Sequence, residues 1–367
     1  MKISIERETL LLALQAVANV VERRQTLPIL SNMLLSAEGT ELHLTATDME
    51  VESVAKIDAT VSRPGAITLP GRKLLDIVRS LPGQSTLVLE EKDKKVRIQT
   101  GRSRFMLSTL PASDFPALGY PAEEVSLTLE SGMLQSLVGA TQFAMAHQDV
   151  RYYLNGLLLE ISGKTLRAVA TDGHRLALCE RSLEIEPVVG NRQLIVPRKG
   201  VAEIQRLASH ADGALTLGIS SNALRVSGGG QTVTVKLVDG KFPDYERVIP
   251  RNGDKIVLSH RETLRAALQR TSILSNEKFR GVRLNFSPGV LKASAHNPEQ
   301  EEAEEEIEIE YAGEALEIGF NVSYLLDVLG VLQSESVQLT LSDSNSSCLI
   351  QAAEDPRSRY VVMPMRL

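Results

Sequence analysis

No run of apolar residues in this chain approaches the roughly 18–20 that a membrane span requires. The first residues, Met1-Lys2-Ile3-Ser4-Ile5-Glu6-Arg7-Glu8, put charge where a signal peptide needs its apolar stretch, so a cytosolic protein is expected. Cysteine is scarce: Cys179 and Cys348 are far apart and belong to no CxxC pattern. That excludes a disulfide-stapled scaffold and predicts two buried thiols. A basic excess is missing too. The net charge of −6 argues against a protein that coats DNA by charge alone. There is no Gly-rich phosphate loop and no metal-ligand spacing, so neither a cofactor nor a metal is expected.

What is present is an ordinary globular composition, 43% hydrophobic and 23% charged, over 367 residues, which is long enough for two or three domains. The charge is unevenly spread. Residues 1–124 carry 15 Lys+Arg and 16 Asp+Glu, residues 125–250 carry 13 and 12, and residues 251–367 carry 12 and 18. The acidic excess sits in the last third.

Internal repeats account for the length. Arg7-Glu8-Thr9-Leu10 recurs as Arg261-Glu262-Thr263-Leu264, with Met133-Leu134-Gln135-Ser136-Leu137 between them, and each opens a helical pattern. Leu69-Pro70-Gly71-Arg72-Lys73-Leu74 matches Val196-Pro197-Arg198-Lys199-Gly200-Val201, and Asn321-Val322-Ser323-Tyr324-Leu325 is the third copy. Pro70 and Pro197 read as first-turn prolines and Asn321 as an N-cap. Ala46-Thr47-Asp48 returns as Ala170-Thr171-Asp172, and Asp114-Phe115-Pro116 as Lys241-Phe242-Pro243. Three homologous domains follow, at 1–122, 123–250 and 251–367. Each reads as helix, strands, helix, strands, with residues 8–21 and 71–81 helical in the first. The class is α+β, two helices backed by antiparallel sheets in each domain.

Six helices packed side by side at about 10 Å make a ring only about 19 Å across through their axes. Twelve leave about 28 Å clear once a helix diameter is subtracted, room for a duplex about 20 Å wide. Two copies fit around DNA and one does not. A head-to-tail pair would set the basic strands of the first domain (Lys92, Lys94, Lys95, Arg97, Arg102, Arg104) against the acidic run of the third (Glu299, Glu301, Glu302, Glu304, Glu305, Glu306).

The segments Arg151-Tyr152-Tyr153-Leu154-Asn155-Gly156, Thr171-Asp172-Gly173-His174-Arg175-Leu176 and Lys241-Phe242-Pro243-Asp244-Tyr245 resemble those of the bacterial beta sliding clamp family. So do Asn297-Pro298-Glu299-Gln300-Glu301 and the terminal Tyr360-Val361-Val362-Met363-Pro364-Met365-Arg366-Leu367. The resemblance runs the whole length. It implies three tandem DNA-clamp domains and a head-to-tail homodimer closing into a ring. The function it implies is non-catalytic: encircling duplex DNA without regard to sequence and tethering the replicative polymerase.

Site expectations follow. Arg72, Lys73, Arg198 and Lys199 lie at predicted helix starts, where a helix-lined hole would turn them toward phosphates. Gln148, Tyr152 and Tyr153 sit on the loop after a helix. The resemblance ranks Arg24 and Gln148 first among DNA contacts. It also implies an apolar groove for short peptides from Leu154, Leu176, Pro243, Val248 and the terminal Val361, Val362, Met363, Pro364 and Met365. Thr171, Gly173 and His174 would form its turn, and Arg175, Arg247, Asn321, Tyr324, Ser347 and Arg366 its polar rim. Such a groove would serve the polymerase catalytic subunit, the clamp loader, translesion polymerases and repair proteins. Charge complementarity and the resemblance together place the dimer edge at Phe105 and Leu107 against Ile273 and Leu274, ringed by Arg102, Arg104, Glu299, Glu301 and Glu305.

Catalytic and gene-regulatory readings fit the residues less well. His174 beside Asp172 invites general acid–base chemistry, but Asp-Gly is a hairpin dipeptide and the repeat Ala46-Thr47-Asp48-Met49 keeps the Asp without the His. A nucleotidyltransferase needs clustered carboxylates for two metals, and Asp48 and Asp172 belong to separate repeats. A gene regulator needs a basic reading helix, and none is apparent.

Overall fold

The computed structural model describes residues 1–21, 27–184 and 188–366, with backbone only at 188 and 189. Among these are six α-helices: α1 (Arg7–Val17), α2 (Gly71–Ser80), α3 (Ser131–Gly139), α4 (Arg198–His210), α5 (Arg261–Thr271) and α6 (Val322–Val331). The chain divides into two compact units, residues 1–135 with 199–237, and residues 136–198 with 238–367. The middle repeat contributes to both.

In the first unit an eight-stranded antiparallel sheet runs in the order Val125–Glu130, Ala214–Ile219, Ala223–Gly228, Gln231–Lys236, Val51–Asp58, Glu41–Thr47, Asn32–Glu38, Gly65–Pro70. Its seam pairs Val233 with Ser53, so one sheet spans parts of two repeats. A five-stranded sheet carries Thr60–Arg63, Lys2–Glu6, Thr86–Lys92, Lys95–Thr100 and, at its edge, Ser103–Ser108. The second unit repeats the scheme. Its eight-stranded sheet joins Val188–Pro197, Gly156–Gly163, Thr165–Thr171 and Arg175–Ser182 to Ser358–Val362, Cys348–Ala352, Ser336–Leu341 and Lys255–His260. A four-stranded sheet ends on the edge strand Glu302–Glu308.

All six helices begin at the residue after a strand ends. The strand that leads into the first helix of each repeat (Lys2–Glu6, Val125–Glu130, Lys255–His260) departs from the expected helix-first order. In the first of these, Ile3 and Ile5 are buried while Lys2 and Ser4 are half-buried. Five alternating residues running straight into a helix leave no turn to mark the boundary. Helix α1 buries Leu10, Ala13, Leu14 and Val17, the spacing of one helical face. Each fully buried leucine there stabilises by about 1.5–3 kcal/mol. The helix stops at Val17, short of the expected 21, because Val20 and Val21 donate three residues back in turns.

Pro70 and Pro197 are the last residues of strands rather than first-turn prolines. Either position suits a residue without an N–H. Asn321 does cap α6, its Oδ1 accepting from Ser323 N at 2.9 Å. Cys179 and Cys348 are buried free thiols, and burial raises the pKa of both. Among the described residues no helix is long and apolar enough to cross a membrane.

Candidate functional site

The residues expected to form a groove lie within the second unit. Strand Thr165–Thr171 turns into Arg175–Ser182 through Asp172-Gly173-His174. Gly173 has φ +88°, a conformation glycine enters without strain. Asp172 Oδ1 accepts from His174 N at 2.9 Å and from Arg175 N at 3.0 Å, and Thr171 Oγ donates to Arg175 O at 2.7 Å. The aspartate is therefore committed to the turn. The last strand pairs with this one, Arg175 opposite Val362 and Leu176 opposite Val361. The tail continues over the turn: Met363 N donates to His174 O at 2.9 Å and Met365 N to Gly319 O at 2.8 Å.

Leu154, Leu176 and Val361 come together with Leu158, Val169, Leu178, Phe242 and Tyr245 in one buried cluster, with Val248 packed against it. Leu154 and Leu176 are each only 2% exposed, so they form a floor rather than a wall. Val362 is fully buried and alternates to the opposite face of the sheet. Pro243, His174 and Met363 are exposed above the floor, and Met365, Pro364 and Val248 are half-buried.

The polar rim is organised by Arg175. Its guanidinium pairs with Asp172 at 3.1 Å and with Asp327 of α6, and donates to Phe143 O at 2.9 Å. It also lies over the rings of Phe143 (5.2 Å) and Tyr324 (4.5 Å), and the His174 ring stacks on Tyr324 at 6.5 Å. Burial raises the pKa of the Tyr324 phenol. Arg247 is exposed and paired to Asp244 at 2.7 Å, Asn321 is spent on its helix cap, and Ser347 is half-buried just before the strand Cys348–Ala352. Phe143 and Asp327, the partners of Arg175, carry no signal in the sequence around it. Nothing local marks them, since Phe143 lies 32 positions earlier in the same repeat and Asp327 lies 152 positions on, in the third. A cavity of about 600 Å³ opens beside Met365 and Arg366, lined also by Phe279, His296 and Glu302. It meets the tail end of the site and not the Leu154–Leu176 floor.

The expected DNA contacts are distributed differently. Arg24 lies outside the described residues. Lys73 is exposed. Arg72 Nη2 donates to Val21 O at 2.9 Å and Arg198 Nη2 to Met145 O at 2.8 Å. The two arginines thus make the same staple, 126 positions apart, from the start of one helix to the loop after the other. Lys199 donates to Val20 O at 3.0 Å and pairs with Asp48. Gln148 is exposed at φ +55° on a loop closed by Asp149 and Asn155, which exchange hydrogen bonds at 2.9 Å. The Arg151 guanidinium holds the Asp149 carboxyl down at about 2. Tyr152 is 57% exposed and meets half-buried Tyr153 edge-on.

Two sheet edges carry the expected dimer residues. On Ser103–Ser108, Arg104 is exposed while Phe105 and Leu107 are half-buried, and exposed Arg102 precedes them. On the other, Ile273 is 74% exposed and Leu274 half-buried, next to the strand Glu302–Glu308 with its five glutamates. Glu299 and Glu301 are exposed before that strand. Glu305 is already held by Arg270 at 2.7 and 2.9 Å. Among the described residues no group of three or more His, Cys, Asp or Glu is placed to hold a metal ion.

Comparison with known proteins is consistent along the whole chain. Family models of the DNA polymerase III beta subunit match as N-terminal domain at residues 1–119, central domain at 128–244 and C-terminal domain at 246–366. The chain is 56% identical to the beta sliding clamp of Pseudomonas putida and 50% identical to that of Escherichia coli, covering 100% of both chains in each case. Among solved structures, a Pseudomonas aeruginosa DNA polymerase sliding clamp with ligand superposes with a TM-score of 0.97 at 54% identity. A clamp from the same organism bound to griselimycin gives 0.96 at 55%, again over 100% of both chains.

Proposed function

The chain belongs to the bacterial beta sliding clamp family, the non-catalytic processivity subunit of DNA polymerase III, and from that premise we propose that two copies close head to tail into a ring around duplex DNA. One observation carries the ring. Each terminal sheet ends on an edge strand, one carrying Arg104 just after Arg102 and the other bearing five glutamates. Such edges are liabilities in a monomer and are removed by pairing. Joining Ser103–Ser108 of one copy to Glu302–Glu308 of the other removes both at once. Phe105 and Leu107 against Ile273 and Leu274 supply the buried area, and the charges set the register. Glu304 and Glu305, already paired to Lys292 and Arg270, contribute less than Glu306.

The repeats meet near 122 and 250, and the helices face the DNA. Lys73, Gln148, Tyr152 and the remaining nitrogens of Arg72 and Arg198 touch phosphates, with no base readout. The site over Leu154, Leu176 and Val361 takes short apolar peptides offered by the polymerase catalytic subunit, the clamp loader, translesion polymerases and repair proteins. Affinity per peptide is micromolar, about −7 to −8 kcal/mol, and tethering on the ring raises the local concentration. The compartment is the cytoplasm.

Sedimentation of Leu274→Asp tests the edge. A shift toward monomer at concentrations where the native chain is dimeric is expected, and a dimer of unchanged strength would refute it.

A further inference from the structure

The stretch from Val238 to Ile249 has one short 3₁₀ turn, Tyr245–Arg247, yet it brings Pro243, Arg247 and Val248 to the groove. Val238 N ties its start to Ile195 O at 2.9 Å, and Val248 N closes the 3₁₀ turn on Tyr245 O at 3.1 Å. Between them two rings plug into the sheet, Phe242 and Tyr245, buried with Leu158, Val169 and Leu178.

Tyr245 reaches further. Two residues along the same sheet face from Leu158, Val169 and Leu178, a polar row crosses three strands: Glu160 opposite Arg167, and Arg167 opposite Glu180. The Tyr245 hydroxyl donates to Glu160 Oε2 at 2.5 Å and accepts from Arg167 Nη1 at 2.8 Å. Glu160 Oε1 accepts from Asn191 Nδ2 at 2.8 Å, and Arg167 Nε donates to Glu180 Oε2 at 3.1 Å. Tyr245 and Glu160 are each 6% exposed. A carboxylate so buried is tolerated only when its oxygens are satisfied, and here one of its donors belongs to the groove wall. Burial and the Glu160 contact push the Tyr245 phenol up to about 12, so it remains a donor at any physiological pH. An apolar side chain would fill the space under the loop equally well; the hydroxyl adds a fixed direction.

We propose that Tyr245 is a positioning residue for the peptide groove: through Glu160 and Arg167 it fixes where Pro243, Arg247 and Val248 stand, and so sets affinity without touching the peptide. This rests on the groove reading above. Loss of the anchor leaves the wall only part of the time in its binding form, and apparent affinity falls with that fraction.

The test is a titration of the full chain with a fluorescein-labelled pentapeptide carrying Leu and Phe as its large side chains. The proteins are the native chain, Tyr245→Phe, Glu160→Leu, their double variant, Glu160→Gln and Met363→Asp. Tyr245→Phe should weaken binding about tenfold, and the double variant should lose no more than either single, because both break one chain. Glu160→Gln keeps an acceptor for the hydroxyl and should recover most of the affinity. A merely structural role would lower the melting temperature but leave the folded protein's peptide affinity alone. Native affinity in Tyr245→Phe, or additive losses in the double variant, would overturn the anchor; Tyr245→Phe alone decides it if Glu160→Leu fails to fold. Native affinity in Met363→Asp would overturn the groove itself, and the anchor with it.

Discussion

In the turn at 47–51 and the turn at 171–175, a threonine hydroxyl donates to the carbonyl four residues on, at 3.0 and 2.7 Å. In both, an aspartate Oδ1 accepts from the N–H groups two and three residues on, at 2.9 and 2.7 Å for Asp48 and at 2.9 and 3.0 Å for Asp172. The third residue has positive φ in each, Met49 at +78° and Gly173 at +88°. The second aspartate oxygen is also paired in each, with Lys199 for Asp48 and with Arg175 for Asp172. The two part at the fifth position. Val51 is a fully buried apolar residue. Arg175 instead reaches Asp327, Phe143 and Tyr324 and organises a polar rim. One backbone device thus serves as plain structure in the first repeat and as the frame of the proposed binding site in the second. Fold is carried by what the repeats share, and function by where they differ.

The strongest way to break this contrast is to cut both fifth positions. Arg175→Ala strips the cation from two aspartates and should cost about 2–4 kcal/mol while abolishing peptide binding. Val51→Ala should cost about 2 kcal/mol through its cavity and leave peptide affinity untouched. Urea denaturation and peptide titration, run side by side, separate the two effects.

A smaller effect belongs to the third positions. Met49→Gly relieves a positive φ and should stabilise by about 0.5–1 kcal/mol. Gly173→Ala should destabilise by a similar or larger amount, about 1–2 kcal/mol, because φ +88° strains any side chain there, and its Cβ would also press on Arg151 Nη2 at 3.1 Å. Equal responses at the two sites, seen as melting shifts of the same sign, would remove the distinction.

Much of this was legible in the chain. The threefold period came from Arg7-Glu8-Thr9-Leu10, the Thr-Asp pairs and the Phe-Pro pairs, because each marks a structural event with narrow residue demands. The Asp-Gly turn and the Asn321 cap were legible for the same reason. What stayed hidden is long-range. Nothing near Arg175 announces Asp327, which is 152 positions away, and nothing near Glu160 announces Tyr245, 85 away. By local pattern the basic residues at helix starts are solvated helix surface that a ring would turn toward phosphates. Sequence could not show that Arg72, Arg198 and Lys199 each spend nitrogen atoms on backbone carbonyls, since a staple and a solvated cation have the same local pattern.

The smallest expected effect concerns the loop before the groove. Asp149 is held at about 2 by its hydrogen bonds to Arg151. A carboxyl depressed in the folded state contributes fully above its unfolded value of about 4 and loses that contribution as pH falls through about 2. The 147–151 loop should therefore hold unchanged from neutral pH to about 4 and loosen only below it. Carboxyl-carbon NMR titration of Asp149 checks this, and a midpoint near 4 would refute the pairing.

The central claim, that a non-catalytic chain of net charge −6 holds DNA by encircling it, meets its most direct test in retention on DNA of different topology. After loading by a clamp loader onto nicked circles, the protein should stay bound through a high-salt wash, because a closed ring does not depend on the ion pairs that salt screens. Linearising the same circles should release it at once. Rapid loss from intact circles at high salt, or equal retention on circles and linear DNA, would contradict the account.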